Sequence, residues 1–137
     1  MHDWKDELYF KKPGEEGFNE EDDLRKFKVV DLIYDNHCAG YVDYSDGRTE
    51  VMYYLEMGES KAISLDLDFN GYMEMLLAAK AWGLWQRVIV NLKYGDNIPY
   101  AEIYESEMED FKTCMPQLFP DFKWEDFEAL YEKVRIK

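Results

Sequence analysis

The segment Leu65–Leu92, LDLDFNGYMEMLLAAKAWGLWQRVIVNL, constrains the fold more than any other part of the chain. Asp68 is suited to cap a helix, because its side chain can accept a hydrogen bond from a free N–H group of the first turn. Apolar residues then follow at offsets 0, 3, 4, 7 and 8, which is the spacing of one helix face: Phe69, Tyr72, Met73, Leu76 and Leu77. The pattern predicts a helix with this stripe in the core, and residues 82–90 extend the apolar surface beyond Gly83.

The length of 137 residues is that of one domain. Apolar residues make up 47 % and aromatic residues 17 % of the chain, which is enough large side chain to fill a core. We therefore predict a single domain over residues 1–137. Residues 1–26 contain Pro13, Gly14 and Gly17, which disfavour regular structure, and a block of acids from Glu20 to Asp23. They are predicted to form an irregular acidic arm or loop laid on that domain.

The residues before the capped helix are predicted to form antiparallel strands. Residues 27–35, FKVVDLIYD, are rich in branched and aromatic side chains over the length of one strand. Residues 39–56 are the best hairpin candidate, because the Gly of Asp46-Gly47 tolerates the positive φ angle of a tight turn. Residues 61–65 are predicted to be a short extended segment that leads into the helix.

The residues after Leu92 are predicted to be mainly helical. Ser106 and Glu109 fit a capping box, and Pro116 is expected to disturb or end the helix that follows. A further helical pattern contains Phe127, Leu130, Tyr131 and Val134. Strands in the N-terminal half and helices in the C-terminal half predict an α+β fold, in which an antiparallel strand meander packs against the helices.

The chain is strongly acidic, with 16 Lys and Arg against 30 Asp and Glu and a net charge of −14. Such a surface repels the phosphate backbone of nucleic acids, whose binding depends on basic side chains, and it repels anionic membranes. We therefore predict no nucleic-acid partner and no membrane partner. A basic protein would be attracted. The alternative is that the acidity serves only solubility.

No metal, cofactor or catalytic site is predicted. Residues 66–71, DLDFNG, match the opening of an EF-hand calcium loop, but Leu77 stands where the bidentate Glu of that loop belongs. His37, Cys38 and Cys114 lack the number and spacing of zinc ligands. Neither a GxxxxGK[ST] loop nor a GxGxxG motif is present, so phosphate chemistry has no support.

The sequence also lacks the marks of an exported or membrane protein. It starts MHDWKDELYF, which is charged from the third residue and does not have the form of a signal peptide. The two cysteines form no CxxC pair, and the longest apolar stretches carry Lys80, Gln86 and Arg87. These features predict a cytoplasmic protein with reduced thiols.

Tyrosines and acids near the predicted strands outline a candidate docking surface. Tyrosine is favoured at interface hot spots, and we expect Tyr44, Tyr54 and Tyr100 to be exposed while most other aromatic residues are buried. Acidic residues around exposed tyrosines would bind a basic partner without any chemistry. The predicted partner-binding residues are Tyr44, Asp46, Glu50, Tyr54, Glu56 and Tyr100.

Three segments resemble the SUKH superfamily of Smi/Knr-like proteins. LDLDFNGYMEMLLAAKAWGLWQ is similar to the late helix of that family, DLIYDNHCAGYVDYSDGRTEVMYYLE to its strand meander, and MPQLFPDFKWEDFEALYEKVR to a tail of some bacterial members. The resemblance covers about residues 27–135 and lies in hydrophobic patterns. It implies an α+β domain that binds proteins and has no catalytic residues. Bacterial members are frequently immunity proteins that block toxins, often nucleases or deaminases, whereas yeast members regulate cell-wall synthesis.

Three functional hypotheses follow. The first is a non-enzymatic immunity protein, a monomer or weak dimer, that occludes the basic active-site surface of a cognate bacterial toxin. The second is a regulatory or scaffold protein of the same fold with a housekeeping or cell-envelope partner. The third is a small hydrolase that uses paired carboxylates or His37, and an enclosed pocket with converging acids would favour it.

Overall fold

The computed structural model describes residues 27–34, 37–42, 50–56 and 61–136. In chain order the strands are β1 (Phe27–Tyr34), β2 (His37–Val42), β3 (Met52–Leu55) and β4 (Ile63–Leu67). The helices within these ranges are α1 (Phe69–Ala78), α2 (Trp85–Tyr94), α3 (Ala101–Leu118) and α4 (Trp124–Val134). The predicted arm of residues 1–26 and the predicted turn at Asp46-Gly47 lie outside the described residues.

The four strands form one antiparallel sheet in the order β1-β2-β3-β4. Each strand pairs with its neighbour in the chain, and the pairing of Ala39 with Tyr54 joins the two predicted arms of the hairpin. The sheet comes first in the described chain and the helices follow it. This order confirms the predicted α+β fold, with a strand meander in the N-terminal half and helices in the C-terminal half.

Helix α1 begins where the sequence predicted but buries a different face. The N–H of Gly71 donates a hydrogen bond of 2.7 Å to Asp68 Oδ1, which confirms the predicted cap. Tyr72 and Met75 are buried, as is Ala79 just past the helix. The prediction was wrong for three members of the stripe, which are 45, 38 and 65 % exposed: Phe69, Met73 and Leu77.

The glycine in α1 lies on the buried side of the helix, with Tyr72 and Met75. A Cβ atom at Gly71 would lie 3.2 Å from a Leu67 side-chain carbon and 3.5 Å from the carbonyl oxygen of Val134. The absence of a side chain therefore relieves a tight contact with Leu67 of β4, whereas a Cβ atom would be in ordinary van der Waals contact with α4. The opposite side of the helix, which carries the exposed part of the stripe, faces away from them.

A tight reversal of the chain separates α1 from α2. Lys80, Ala81 and Leu84 all have positive φ angles, between 54° and 64°, which residues other than glycine adopt only where the surrounding structure holds them. The reversal lets α2 return along the core. Its apolar residues are buried there, as the sequence predicted: Trp85, Val88, Ile89 and Val90.

Helix α3 starts before the predicted capping box. Tyr100 is its N-cap residue, with a φ of 61° and no side-chain cap, so Ser106 and Glu109 lie inside the helix and the predicted box was wrong. The S-x-x-E signature is local, whereas this start is set by the turn that leaves α2. Pro116 is tolerated in the last turn, and the helix ends at Leu118.

Aromatic residues join α3 to its neighbours. The ring of Phe111 lies 4.9 Å from Phe127 of α4 and 5.9 Å from Trp82, measured between ring centroids. Helix α4 coincides with the predicted C-terminal pattern, and Phe127 and Tyr131 are its buried residues. Among the helices in the described ranges, none has both the length and the apolar character required to cross a membrane.

Candidate functional site

A pocket of about 350 Å³ opens where the sheet meets the start of α3. Its polar end is formed by His37, Glu56 and Arg87. The remaining lining is mainly apolar and consists of Lys61, Ile63, Ile98, Pro99, Tyr100, Ile103 and Tyr104. We call this site the His37 pocket. The largely buried pair of His37 and Glu56 lies against an apolar wall, an arrangement found in many ligand and active sites.

The register of the sheet brings the polar residues together. Cys38 of β2 pairs with Leu55 of β3, so His37 and Glu56 stand next to each other at the ends of these strands. Arg87 approaches from the first turn of α2. Three separate elements thus converge on one carboxylate.

Glu56 is almost fully buried, and both of its oxygens are fully used. Arg87 binds it in a bidentate manner, with Nη2 2.6 Å from Oε1 and Nε 3.1 Å from Oε2. His37 Nδ1 lies 2.9 Å from Oε1, and the hydroxyl of Tyr54 donates to Oε2 at 3.0 Å. Each oxygen therefore has two partners, which satisfies the acceptor capacity of a carboxylate.

The surroundings set the protonation states. Burial lowers the pKa of His37 below its ordinary value of 6.5, outweighing the opposite effect of Glu56, and the charge of Arg87 adds to the lowering. The imidazole is therefore neutral at about pH 7, and Nδ1 carries the proton because its carboxylate neighbour can only accept. Burial and the charge of Glu56 raise the pKa of Tyr54, so its phenol remains a donor.

A second carboxylate connects this network to α3. Arg87 Nη1 lies 3.6 Å from Glu107 Oε1, and the indole N–H of Trp82 donates to Glu107 Oε2 at 3.0 Å. Arg87 is thereby held between acids from two sides. The polar end of the pocket is a rigid floor, since its charged groups hold one another in place.

The chemistry available in the pocket is limited. Neither a serine, threonine nor cysteine is among the described residues that line it, so it lacks the nucleophile of acyl-transfer enzymes. Glu56 has no acceptor position left for a proton from substrate. The neutral, carboxylate-bound His37 is the one lining group with the arrangement of a general base.

The mouth of the pocket borders an acidic helix. Tyr100 is 60 % and Ile103 37 % exposed, and both line the pocket at the start of α3. Lys112 is the only basic residue in α3, and its ammonium lies over the Trp124 ring. Four exposed carboxylates follow along the same helix: Glu102, Glu105, Glu109 and Asp110. Two exposed apolar side chains, Tyr100 and Ile103, therefore lie next to the exposed carboxylates of α3.

The structure places the predicted docking residues in different environments. Tyr100 is exposed, as expected, and Glu50 is exposed too. Tyr54 is 0 % exposed, so the prediction of an exposed tyrosine was wrong there. Glu56 is part of the floor of the pocket rather than a surface acid, because Arg87 pairs with it. The other two predicted residues, Tyr44 and Asp46, lie outside the described part of the chain.

Sequence reasoning missed Arg87 and Ile103 as site residues. One signal was present: Tyr54 and Glu56 are two positions apart and therefore share a face of the strand, so burial of one predicts burial of the other. A buried Glu requires a cationic partner. The partner itself lies 31 residues away in the chain, and only the fold identifies it.

The acids of the calcium-like motif have other uses. Asp68 caps α1, and Asp66 binds Lys93 and Arg135 at 2.7 and 2.8 Å. Within the described residues, no group of three or more His, Cys, Asp and Glu is placed to hold a metal ion. Cys38 and Cys114 are not joined in a disulfide.

Comparison with known proteins found no matching family model, no matching curated protein and no matching solved structure. Membership of the SUKH superfamily therefore stays a prediction, and function has to be inferred from the site.

Proposed function

We propose that this chain is a cytoplasmic, non-enzymatic binding domain that neutralises a basic partner protein. The observation that carries the proposal is the position of the exposed Tyr100 and Ile103 at the head of α3, whose exposed side bears four carboxylates and one lysine. The resemblance to SUKH proteins points to a toxin of the nuclease or deaminase type as that partner.

The surface is suited to occlusion. Carboxylates accelerate the approach of a basic protein, while buried aromatic and aliphatic anchors contribute most of the affinity. Tyr100 and Ile103 provide such anchors, and the Glu56–Arg87 floor keeps the pocket beneath them in shape. A toxin that binds nucleic acid through a basic channel would meet in α3 a row of negative charges like that of its substrate.

The test is binding between the purified chain and the inactivated toxin domain encoded by the adjacent gene, measured by calorimetry at two salt concentrations. Two variants remove equal charge from matched positions, since each pair holds a first-turn Glu and the Glu three residues later, all exposed. The test variant is E102Q/E105Q in α3, and its control is E125Q/E128Q in α4.

We expect the α3 variant to bind more weakly and with a smaller salt dependence, whereas the α4 variant behaves as the native chain does. Tyr100→Ala should weaken binding by about 2 kcal/mol, as for a hot-spot anchor. Equal effects of the two double variants would exclude this surface. Failure to bind or protect against the toxin, with capture of housekeeping or cell-envelope proteins, would favour a regulatory or scaffold role.

One observation favours a second function, hydrolysis. His37 is neutral and is held through Nδ1 by a buried carboxylate 2.9 Å away, at the end of a pocket. A carboxylate on Nδ1 fixes the tautomer in which Nε2 is the unprotonated nitrogen, which is the tautomer a histidine needs to act as a general base. Assays with ester and phosphodiester substrates would test it: turnover reduced by about 10²-fold or more in His37→Gln would support hydrolysis, and undetectable turnover in the native chain would reject it.

A further inference from the structure

A buried amide outside the His37 pocket lacks one of its hydrogen bonds. Gln86, in the first turn of α2, is 1 % exposed. Its Nε2 donates to the hydroxyl of Tyr72 at 2.7 Å, and that hydroxyl donates to Asp31 Oδ2, also at 2.7 Å. Gln86 Oε1 is buried and has no hydrogen-bond partner.

The orientation of the amide follows from this chain of hydrogen bonds. The only proton of the Tyr72 hydroxyl goes to Asp31, because a carboxylate can only accept. The hydroxyl oxygen must then receive a proton from Gln86, which places the amide nitrogen there and the carbonyl oxygen elsewhere. If the amide were turned over, Gln86 Oε1 would face the hydroxyl oxygen of Tyr72, and both atoms would be acceptors without a proton between them. Buried acceptors in native proteins are nearly always paired, so the free Oε1 calls for a partner.

The chain provides a cleft beside this group. The Gln86 cleft has a volume of about 270 Å³, and Gln86 and Asp31 line it together with the indoles of Trp82 and Trp85. Leu76 and Leu84 add apolar surface. It shares no lining residue with the His37 pocket. Asp31 is the only charged residue among the described residues that line it, so the cleft is negative.

These features define the occupant by its chemistry. Asp31 and the unpartnered carbonyl oxygen of Gln86 are both acceptors, and one of them is charged, so they favour a cation with several N–H donors; indole rings also attract such a cation. An apolar lining requires an aliphatic stem behind the charge. We infer that the Gln86 cleft binds a primary alkylammonium group, namely a lysine side chain presented by a partner protein. The source of the lysine rests on the proposed function, whereas the chemistry of the cleft can be tested without any partner.

The test uses Nα-acetyl-lysine methylamide as the probe, followed by NMR of the side-chain amide of Gln86 and the indole N–H groups of Trp82 and Trp85. We expect saturable shifts of these signals. The same probe acetylated on Nε, which has lost its charge, should produce none. Absence of saturable shifts, equal shifts with the acetylated probe, or tighter binding of the arginine analogue would each overturn the inference.

Two variants remove one negative charge each. Asp31→Asn keeps an acceptor for Tyr72 and should raise the dissociation constant of the probe at least about tenfold, since a charged acceptor is lost. Asp126→Asn, in the exposed first turn of α4, is the matched control and should leave it unchanged. Equal weakening by both variants would mean that the probe senses only the overall charge, and the inference would fail. Binding of the probe without binding of any toxin would reject the proposed function and leave the cleft standing.

Discussion

Two carboxylates, Glu56 and Asp66, each bind an arginine, but in different surroundings. The side chain of Glu56 is 10 % exposed and lies at the floor of a pocket, whereas that of Asp66 is 23 % exposed. Lys93 and Arg135 both reach Asp66, and its carbonyl oxygen accepts a hydrogen bond from the N–H of Ile136. Glu56 thus shapes a site, while Asp66 fastens the C-terminal end of the described chain to β4.

The difference lies in what happens when a partner is lost. Water can reach the groups around Asp66 and replace a missing hydrogen bond. Glu56 would remain a charge without solvent, and such a charge destabilises a fold strongly. The distances in the two clusters are similar, but the loss of a partner should cost more free energy of unfolding at Glu56 than at Asp66. Four substitutions test this difference.

The largest effect is expected from Arg87→Met. This variant keeps the aliphatic stem of Arg87 but leaves Glu56 buried without its bidentate partner, so the free energy of unfolding should fall by about 3–5 kcal/mol. Urea denaturation at neutral pH measures it. The double variant E56Q/R87M should be less destabilised than R87M, because the uncompensated charge is gone. An equally unstable double variant would show that packing, not charge, is what Arg87 contributes.

A smaller loss is expected from Asp66→Asn. Asn tolerates the φ of 56° at this position, so the change mainly removes the two charged hydrogen bonds and should cost about 1–3 kcal/mol. Burial alone would raise the pKa of Asp66, but the hydrogen bonds from Lys93 and Arg135 outweigh it and lower the pKa below 3.8.

The lowered pKa of Asp66 determines how the stability difference between the native chain and D66N depends on pH. The unfolded chain binds the proton more tightly, so the stabilisation by Asp66 is complete above pH 3.8 and is lost as the pH falls through the folded pKa. The gap in unfolding free energy between the native chain and D66N should therefore close in acid. A gap that stays constant on acidification would rule out the ion pairs as its cause.

The third effect is the pH dependence of stability that His37 causes. Its pKa is lowered in the folded chain, so protonation favours unfolding: stability is complete above pH 6.5 and declines as the pH falls through the folded pKa. Denaturation of the native chain and of His37→Gln between about pH 7.5 and 5 isolates this term, because the variant lacks the group. Parallel pH profiles would show that His37 titrates as it does in the unfolded chain.

Local sequence rules predicted the positions of helices and strands better than they predicted which side of each is buried. The Asp68 cap and the antiparallel pairing of the two arms predicted within residues 39–56 depend on neighbouring residues, and both were found. Phe69 and Leu77 lie on an equally apolar side of α1, yet they are exposed. Which side is buried depends on where β4 and α4 lie, and Gly71, which is on the buried side, carries no hydrophobic signal.

The candidate site was less predictable than the fold. Tyr54 and Glu56 share a strand face, but alternation alone does not tell a solvent face from one covered by a later helix. Arg87 of α2 decides the matter, since it covers that face and neutralises Glu56. The predicted exposure of Tyr100 was confirmed, and this residue is the N-cap of α3.

The smallest effect should come from Glu132→Gln, which acts on the same arginine as D66N. Glu132 is 57 % exposed and lies three residues before Arg135, with a distance of 3.0 Å from Oε1 to Nη1. Such a surface pair contributes about 0.2–0.5 kcal/mol and is screened by salt. Denaturation in low and high salt should show a slight loss that disappears at high salt. If E132Q cost as much as D66N, the exposed contact would anchor Arg135, and the proposed relation between burial and energy would not hold for this cluster.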